Sequence, residues 1–409
     1  MEVTPGLRRD PAPDLDAVGQ DTELVARIVA QIQRDGPLTF ARFMDLALYD
    51  PDGGYYRAAA VRPGRAEGDF LTAPEAHPIF GRALARAVAD AWDRLDRPDP
   101  FVLREYGAGT GTLALAILDG LRSERPDIAA AIRYEPIEIE GRRVDVIAKR
   151  LAASGHPAPI VSRAAAGGAA TSATTDGNRP IDGFVLANEV LDALPTHRVV
   201  VRDGRIREIM VGWRDGTFVD IEGDPTTPDL AARLAADGVG LAEGQRAEIC
   251  LAIDAWVTGA SAGLGRGVLL LIDYGYPATE LYDSIRRRDG TLRAYLRHRV
   301  HDDPYLHVGR QDLTAHVDVS AVERAATAAG LDHLGTTTQA EFLVGLGTGD
   351  LLQAIQNDPA TSMEEYLAVR SALVRLLDPS AMGRFRVMAF ASGWRAGPPL
   401  LGFAYRLAR

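Results

Sequence analysis

The residues best able to do chemistry stand in three short stretches: EYGAGTG at residues 105–111, Glu138, and NEVLD at residues 188–192. In the first, Glu105 opens a loop containing Gly107, Gly109 and Gly111, between the apolar FVLREY and the helical TLALAILDGLRS. Glycine lets a backbone turn sharply and approach a ligand closely, where a side chain would intrude. The G-x-G-x-G spacing differs from the G-x-G-x-x-G that sets a helix N-terminus against pyrophosphate, and so favours a cofactor without phosphate. An acid opening the loop suits a cationic ligand end and repels a diphosphate. Glu138, 33 positions after Glu105, can accept hydrogen bonds from both hydroxyls of a ribose, and Ile139 beside it joins the same binding set. S-adenosylmethionine, an adenosine with a cationic amino-acid end, meets these demands. A ligand-free strand-to-helix turn is the alternative for the glycines alone.

Asn188, Glu189 and Asp192 follow the apolar DGFVLA, which puts them at the carboxyl edge of a sheet, where open α/β folds bind ligands; Asn188 is counted with the cofactor. Glu189 and Asp192 are three apart, so on the first turn of a helix they share a face and can grip one guanidinium. The alternative is N-capping by Asn188 with acids near the positive helix end. Methyl transfer is an in-line displacement at an already activated carbon, so the protein mainly positions the acceptor and frees its lone pair. An oxygen acceptor needs a base, commonly histidine, or a metal. No histidine lies within residues 188–195, although His197 is close, and the acids favour a nitrogen acceptor in a protein chain.

Other candidates are weaker. Asp69, Thr72 and Glu75 in GDFLTAPE can form a lid over the cofactor, or a plain loop entering a helix at Pro78. His316 and Asp318 are too few for a metal site and read as structural hydrogen bonding, so no metal is expected. His298 with Arg293 and Arg297 reads as a solvated basic helix face, with Arg293 alternatively binding the cofactor carboxylate or an acidic partner. Tyr55 and Tyr56 read as core. Cys250, the only cysteine, sits in EICLAI as core filler and excludes an internal disulfide.

The elements that must position these groups form an α/β pattern. Residues 1–20 read as a disordered arm, 21–100 as a helical N-terminal region, and 101–409 as the catalytic domain. Strand, glycine turn, helix, then IRYEPIEIE, RRVDVIAKRLAAS and PIVS alternate as a parallel sheet with right-handed crossovers requires. A small-residue stretch at 164–180 reads as a flexible loop. Asp203-Gly204 and Asp215-Gly216 mark hairpins in an antiparallel insertion over about residues 197–260. At 46% hydrophobic and 25% charged the chain is globular, and its net charge of −11 argues against general nucleic-acid binding. Lys149 is its only lysine, so arginine carries the positive charge. Without an apolar run of membrane length or a signal-peptide core, no membrane insertion and a cytoplasmic location are expected.

Together FARFMDLALYDPDGGYY, GDFLTAPE, EYGAGTG, LANEVLDALP, IDYGY, GTLRAYLRH, DLTAHVD and TTQAEFL resemble the MidA methyltransferases, in that family's order from about Phe40 to Leu343. The resemblance implies a Rossmann-like class I fold with a seven-stranded sheet and S-adenosyl-L-methionine as donor. It also implies arginine methylation of a respiratory complex I subunit. IEIEGRR around Glu138, Tyr106 and His77 depart from the family pattern. A methyltransferase of a small metabolite and a cofactor-binding assembly chaperone remain the competing readings.

Overall fold

The structure, a computed structural model, describes residues 2–3, 18–57, 72–160, 180–297, 299–395 and 397–405. Its centre is a sheet built from β-strands and the helices between them. In chain order these are α1 (Ile79–Arg94), β1 (Phe101–Tyr106), α2 (Thr112–Glu124), β2 (Ile132–Ile137) and α3 (Gly141–Ala153). There follow β3 (Ile181–Asn188), α4 (Ala252–Ser261), β4 (Leu264–Asp273), α5 (Val319–Ala328), β5 (Asp332–Thr338) and β6 (Arg386–Ser392). The strand order is β5-β6-β4-β3-β1-β2. The four strands β1 to β4 run parallel, and β6 is antiparallel to both its neighbours.

Side chains of a strand alternate between faces, and here both faces are covered. Val268, Leu270 and Ile272 of β4 pack with Phe80, Leu84 and Ile117 from α1 and α2. Leu269 and Leu271 pack the other way, against Trp256 and Val257 of α4 and Val322 of α5. Six strands are seen among the described residues, against seven expected. PIVS leaves the described residues after Ile160, whose N–H donates to Tyr134 O at 2.7 Å, alongside β2.

A second, antiparallel sheet joins Leu38–Thr39, Arg205–Arg214, His197–Arg202 and Arg246–Ile249, with Thr217–Gly223 paired to Arg205–Arg214. Its tight turns fall where Asp-Gly pairs predict them, because both central residues need positive φ: 51° and 68° at Asp203 and Gly204, 50° and 80° at Asp215 and Gly216. Helices Thr22–Asp35 and Phe40–Tyr49 pack on this sheet through Leu24, Ile28, Phe40, Phe43 and Phe218. Asp21 caps the first of them by accepting from Leu24 N–H at 3.0 Å.

One expectation changes. Arg293–Leu296 is a strand, not a helix face, because alternating Ala294 and Leu296 are buried and the backbone pairs with Asp312–Thr314 and Arg299–His301. His298 lies outside the described residues, as do Asp69, the loop over 164–180 except Pro180, and most of the expected arm. Of that arm, Glu2–Val3 pairs with Arg299 and Val300. No helix among the described residues is long and apolar enough to cross a membrane.

Candidate active site

The carboxyl ends of β1, β2, β3 and β4 meet at one edge, since Tyr106 pairs with Ile137 and Ala187, and Asn188 with Ile272. After β1 the chain turns through Gly107, Gly109 and Gly111 at φ 65°, 58° and 75°, the left-handed region. A Cβ on Gly107 would come within 2.8 Å of Val190 Cγ2, whereas one on Gly109 would meet nothing nearer than Gly107 O at 3.9 Å. The first glycine is thus forced by packing and the second by backbone conformation.

Glu138 stands just past β2. Its Oε1 accepts from the Gly109 N–H, and its Oε2 lies 3.4 Å from Arg143. Burial raises its pKa while Arg143 pulls it down. A carboxylate has about four lone-pair sites, so acceptors remain for ribose hydroxyls. Ile139 O accepts from Arg57 at 2.5 Å, which ties the turn Tyr55–Arg57 to this rim. Glu105 is not at the loop's mouth. It is buried in β1, with Tyr134 donating to its Oε2 at 2.6 Å, and burial lifts its pKa to about 8. Asn188 Oδ1 is buried without a hydrogen-bond partner at the sheet edge. That orphaned acceptor and the open side of Gly109 fit the ammonium end and the body of S-adenosylmethionine.

Next to the loop lies a cluster of acids. Glu189 has φ 53° and accepts from Asn188 Nδ2 at 3.0 Å and from the Ala73 N–H at 3.2 Å. Thr72, at the start of the short helix Ala73–Ala76, is therefore brought beside Glu189, and Glu75 adds to the charge that Glu189 senses. Burial above all lifts Glu189 to about 8, with Asp273 contributing. Asp192 sits in the 3-10 turn Leu191–Ala193, and burial, then Asp273, Asp312 and Glu189, push its pKa well up. The expected α-helix is absent here, and Asn188 caps nothing. Pro195 biases Leu194 to an extended backbone, and a different acid gathers the turn.

That acid is Asp273, the last residue of β4 and fully buried. Its Oδ2 accepts from the N–H groups of Val190, Leu191 and Asp192 at 3.1, 2.8 and 3.3 Å, and its Oδ1 from Tyr274 at 2.8 Å. Burial outweighs these bonds and lifts it to about 7. Asp273 was missed in the sequence, although an acid ending the apolar run GVLLLID marks the same edge. Asp312, also missed, accepts from Tyr56 OH at 2.8 Å, while Tyr49 OH donates to Ala193 O at 2.8 Å and stacks on Tyr56. Tyr56 thus joins the site's wall. No arginine or lysine forms an ion pair with Glu189, Asp192 or Asp273 among the described residues.

The remaining candidates have local partners. His197 Nδ1 is 2.7 Å from Glu208 Oε1. Asp318 caps α5 through Ala321 N–H at 3.0 Å, and His316 stacks between Tyr274 and Tyr276. Burial lifts Cys250 to about 11, which leaves it an unreactive thiol at neutral pH.

Residues 83–337 match the family model of the S-adenosyl-L-methionine-dependent methyltransferases. The chain is 29% identical to the Drosophila melanogaster mitochondrial protein arginine methyltransferase NDUFAF7 homolog, over 93% of this chain and 88% of that one. The human protein arginine methyltransferase NDUFAF7, also named mitochondrial, is 27% identical over 90% and 83%. A Burkholderia thailandensis protein, solved bound to S-adenosyl-homocysteine, is 34% identical and superposes with TM-score 0.81 over 96% of this chain and 97% of that one. Glycine loop, sheet edge and these matches over most of its length agree: the chain belongs to the MidA family of S-adenosylmethionine-dependent methyltransferases.

Proposed function

We propose that the chain methylates an arginine side chain of a protein, with Glu189 and Asp192 holding the guanidinium. The observation that carries this reading is a set of acids, half-buried Glu189 with buried Asp192 and Asp273, with raised pKa values and no ion pair among the described residues. Buried carboxylates without a cation are costly, and a guanidinium offers both the charge and a planar set of donors. Relatives named as protein arginine methyltransferases support the same acceptor.

S-adenosylmethionine supplies, when bound, a methyl group on a sulfonium, open to in-line displacement. In our reading residues 107–111, Glu138, Ile139 and Asn188 position it, with Thr72 on the covering side. The acids accept N–H bonds from the guanidinium nitrogens that do not react, which draws positive charge away from the attacking nitrogen. The N–CH3 bond forms as the S–CH3 bond breaks, and the attacking nitrogen's proton passes to a carboxylate. Glu189, which gives up its own proton when the guanidinium binds beside it, is placed to take it. Asp273 holds the turn, and Tyr56 braces Asp312 beside it.

A respiratory complex I subunit as acceptor, a seven-stranded sheet, and a cytoplasmic setting belong to the same proposal; the animal relatives are named mitochondrial. The test supplies a lysate with labelled S-adenosylmethionine and compares the protein with its Glu189→Gln variant. Label entering the protein fraction with the native chain and not with the variant is expected. Label confined to small molecules would overturn the reading.

A further inference from the structure

Beside the acid-lined edge lies a cavity of opposite charge. It has a volume of about 360 Å³ and is lined by Tyr276, Arg286, Arg287, Arg293, His316 and Arg384. The chain carries a net −11, so four arginines around one cavity run against its average sign. Only Glu280 among the lining residues is acidic, and its carboxylate lies 3.7 Å from Arg386. Arg293 meets the exposed Asp302 at 3.4 Å, while Arg286, Arg287 and Arg384 form no ion pair among the described residues. Arg287 is held in place, its guanidinium 3.8 Å from the Tyr276 ring centroid and donating to Glu280 O at 2.6 Å. His316 Nδ1 is buried with no hydrogen-bond partner. Burial, then Arg287, Arg384 and Arg293, hold His316 down to about 3, so it lines the cavity as a neutral ring.

The cavity shares a wall with the acids. The His316 ring stacks at 6.3 Å on Tyr274, the residue after Asp273. Arg293 and Tyr295 are two apart on one strand and so share a face, about 7 Å apart. Tyr295, lifted by burial to about 12, feels the charges of Asp192, Asp312 and Glu189. A bound polypeptide with its arginine among the acids therefore places side chains one or two residues away over the arginines.

We propose that this cavity binds the side-chain carboxylate of an acidic residue neighbouring the target arginine in the acceptor polypeptide. The inference rests on the arginine reading above. It makes the enzyme select arginines in acidic surroundings, with charges of the two sites complementary to those of the substrate.

The test measures binding of a fluorescein-labelled, C-terminally amidated hexaglutamate peptide by anisotropy, with the hexaglutamine peptide as control. Native protein and Glu189→Gln are expected to bind the acidic peptide alike, and the double variant Arg287→Gln with Arg384→Gln about tenfold or more weakly. Arg286→Gln is a second, milder variant, and unchanged S-adenosylhomocysteine affinity confirms folding in each. Equal binding by native and variant proteins, no preference over hexaglutamine, or tighter binding of an RNA oligonucleotide at the same cavity would overturn the proposal. Hexaglutamate binding lost in the variants while no arginine is ever methylated would overturn the acceptor reading alone. Methylated arginine with hexaglutamate binding unaffected by the variants would overturn the cavity's role alone.

Discussion

Replacing Asp273 with Ala removes one carboxylate and leaves four backbone donors without their acceptor: Val190, Leu191, Asp192 and Tyr274. Asp273 is fully buried, so water does not readily replace it. An unsatisfied buried donor costs about 1–3 kcal/mol. The bond at 3.3 Å is the weakest of the four. Relief of repulsion on Asp192 and Glu189 offsets part of the sum. The net expectation for Asp273→Ala is a loss of about 2–4 kcal/mol, a large share of a typical domain's stability. Asp273→Asn keeps the shape: its remaining oxygen serves the three turn donors, and its NH2 faces only the Tyr274 N–H. That variant is expected to lose about 1–2 kcal/mol. Urea unfolding with linear extrapolation reads both values, and turnover reads whether the turn still presents Glu189 and Asp192. Both variants within about 0.5 kcal/mol of the native protein would show that Asp273 does not hold the turn.

Glu189→Gln preserves shape and removes charge, so turnover should fall at least about tenfold while S-adenosylhomocysteine affinity stays within a few fold; unchanged turnover would assign Glu189 a purely structural part. Gly109→Val puts a β-branched side chain at φ 58° beside the cofactor loop, and calorimetry should find S-adenosylhomocysteine binding lost; affinity within about twofold of native would contradict the loop's role. Glu189 at about 8 and Asp273 at about 7 lie above their ordinary values, so their contribution to stability is full below about pH 4 and is lost as pH rises through 7 and 8. A guanidinium bound among them reverses the shift and expels protons. Binding of an arginine peptide at about pH 7 should then show an enthalpy that depends on the buffer's ionisation heat, and buffer-independent enthalpy would contradict a protonated acid cluster.

What was legible in the sequence was mostly local. Asp21 before an amphipathic run, the Asp-Gly turns and the apolar FVLREY before a glycine loop each carry their signal within a few residues, and each element formed where expected. The glycine loop and the sheet-edge position of Asn188, Glu189 and Asp192 were legible for the same reason. Asp273 was not, because it caps a turn some eighty residues earlier in the chain, and nothing near IDYGY announces that partner. Tyr56 and Asp312 meet across 256 positions, which is equally invisible to spacing. Around Arg293, arginines four apart imitate a helix face, but pairing on both sides and burial of Ala294 and Leu296 decide for a strand. Glu105 was placed by its position at the loop, whereas the hydroxyl of Tyr134 on the neighbouring strand fixes it inside.

The central claim is that the acids at the sheet edge present an arginine of a protein to the methyl donor. Acid hydrolysis of the protein fraction labelled from S-adenosylmethionine, followed by amino-acid separation, tests it most directly. Label recovered in methylated arginine, and absent when Glu189→Gln replaces the native chain, is the result the account predicts. Label released as base-labile ester, or found only on a small molecule, would contradict it.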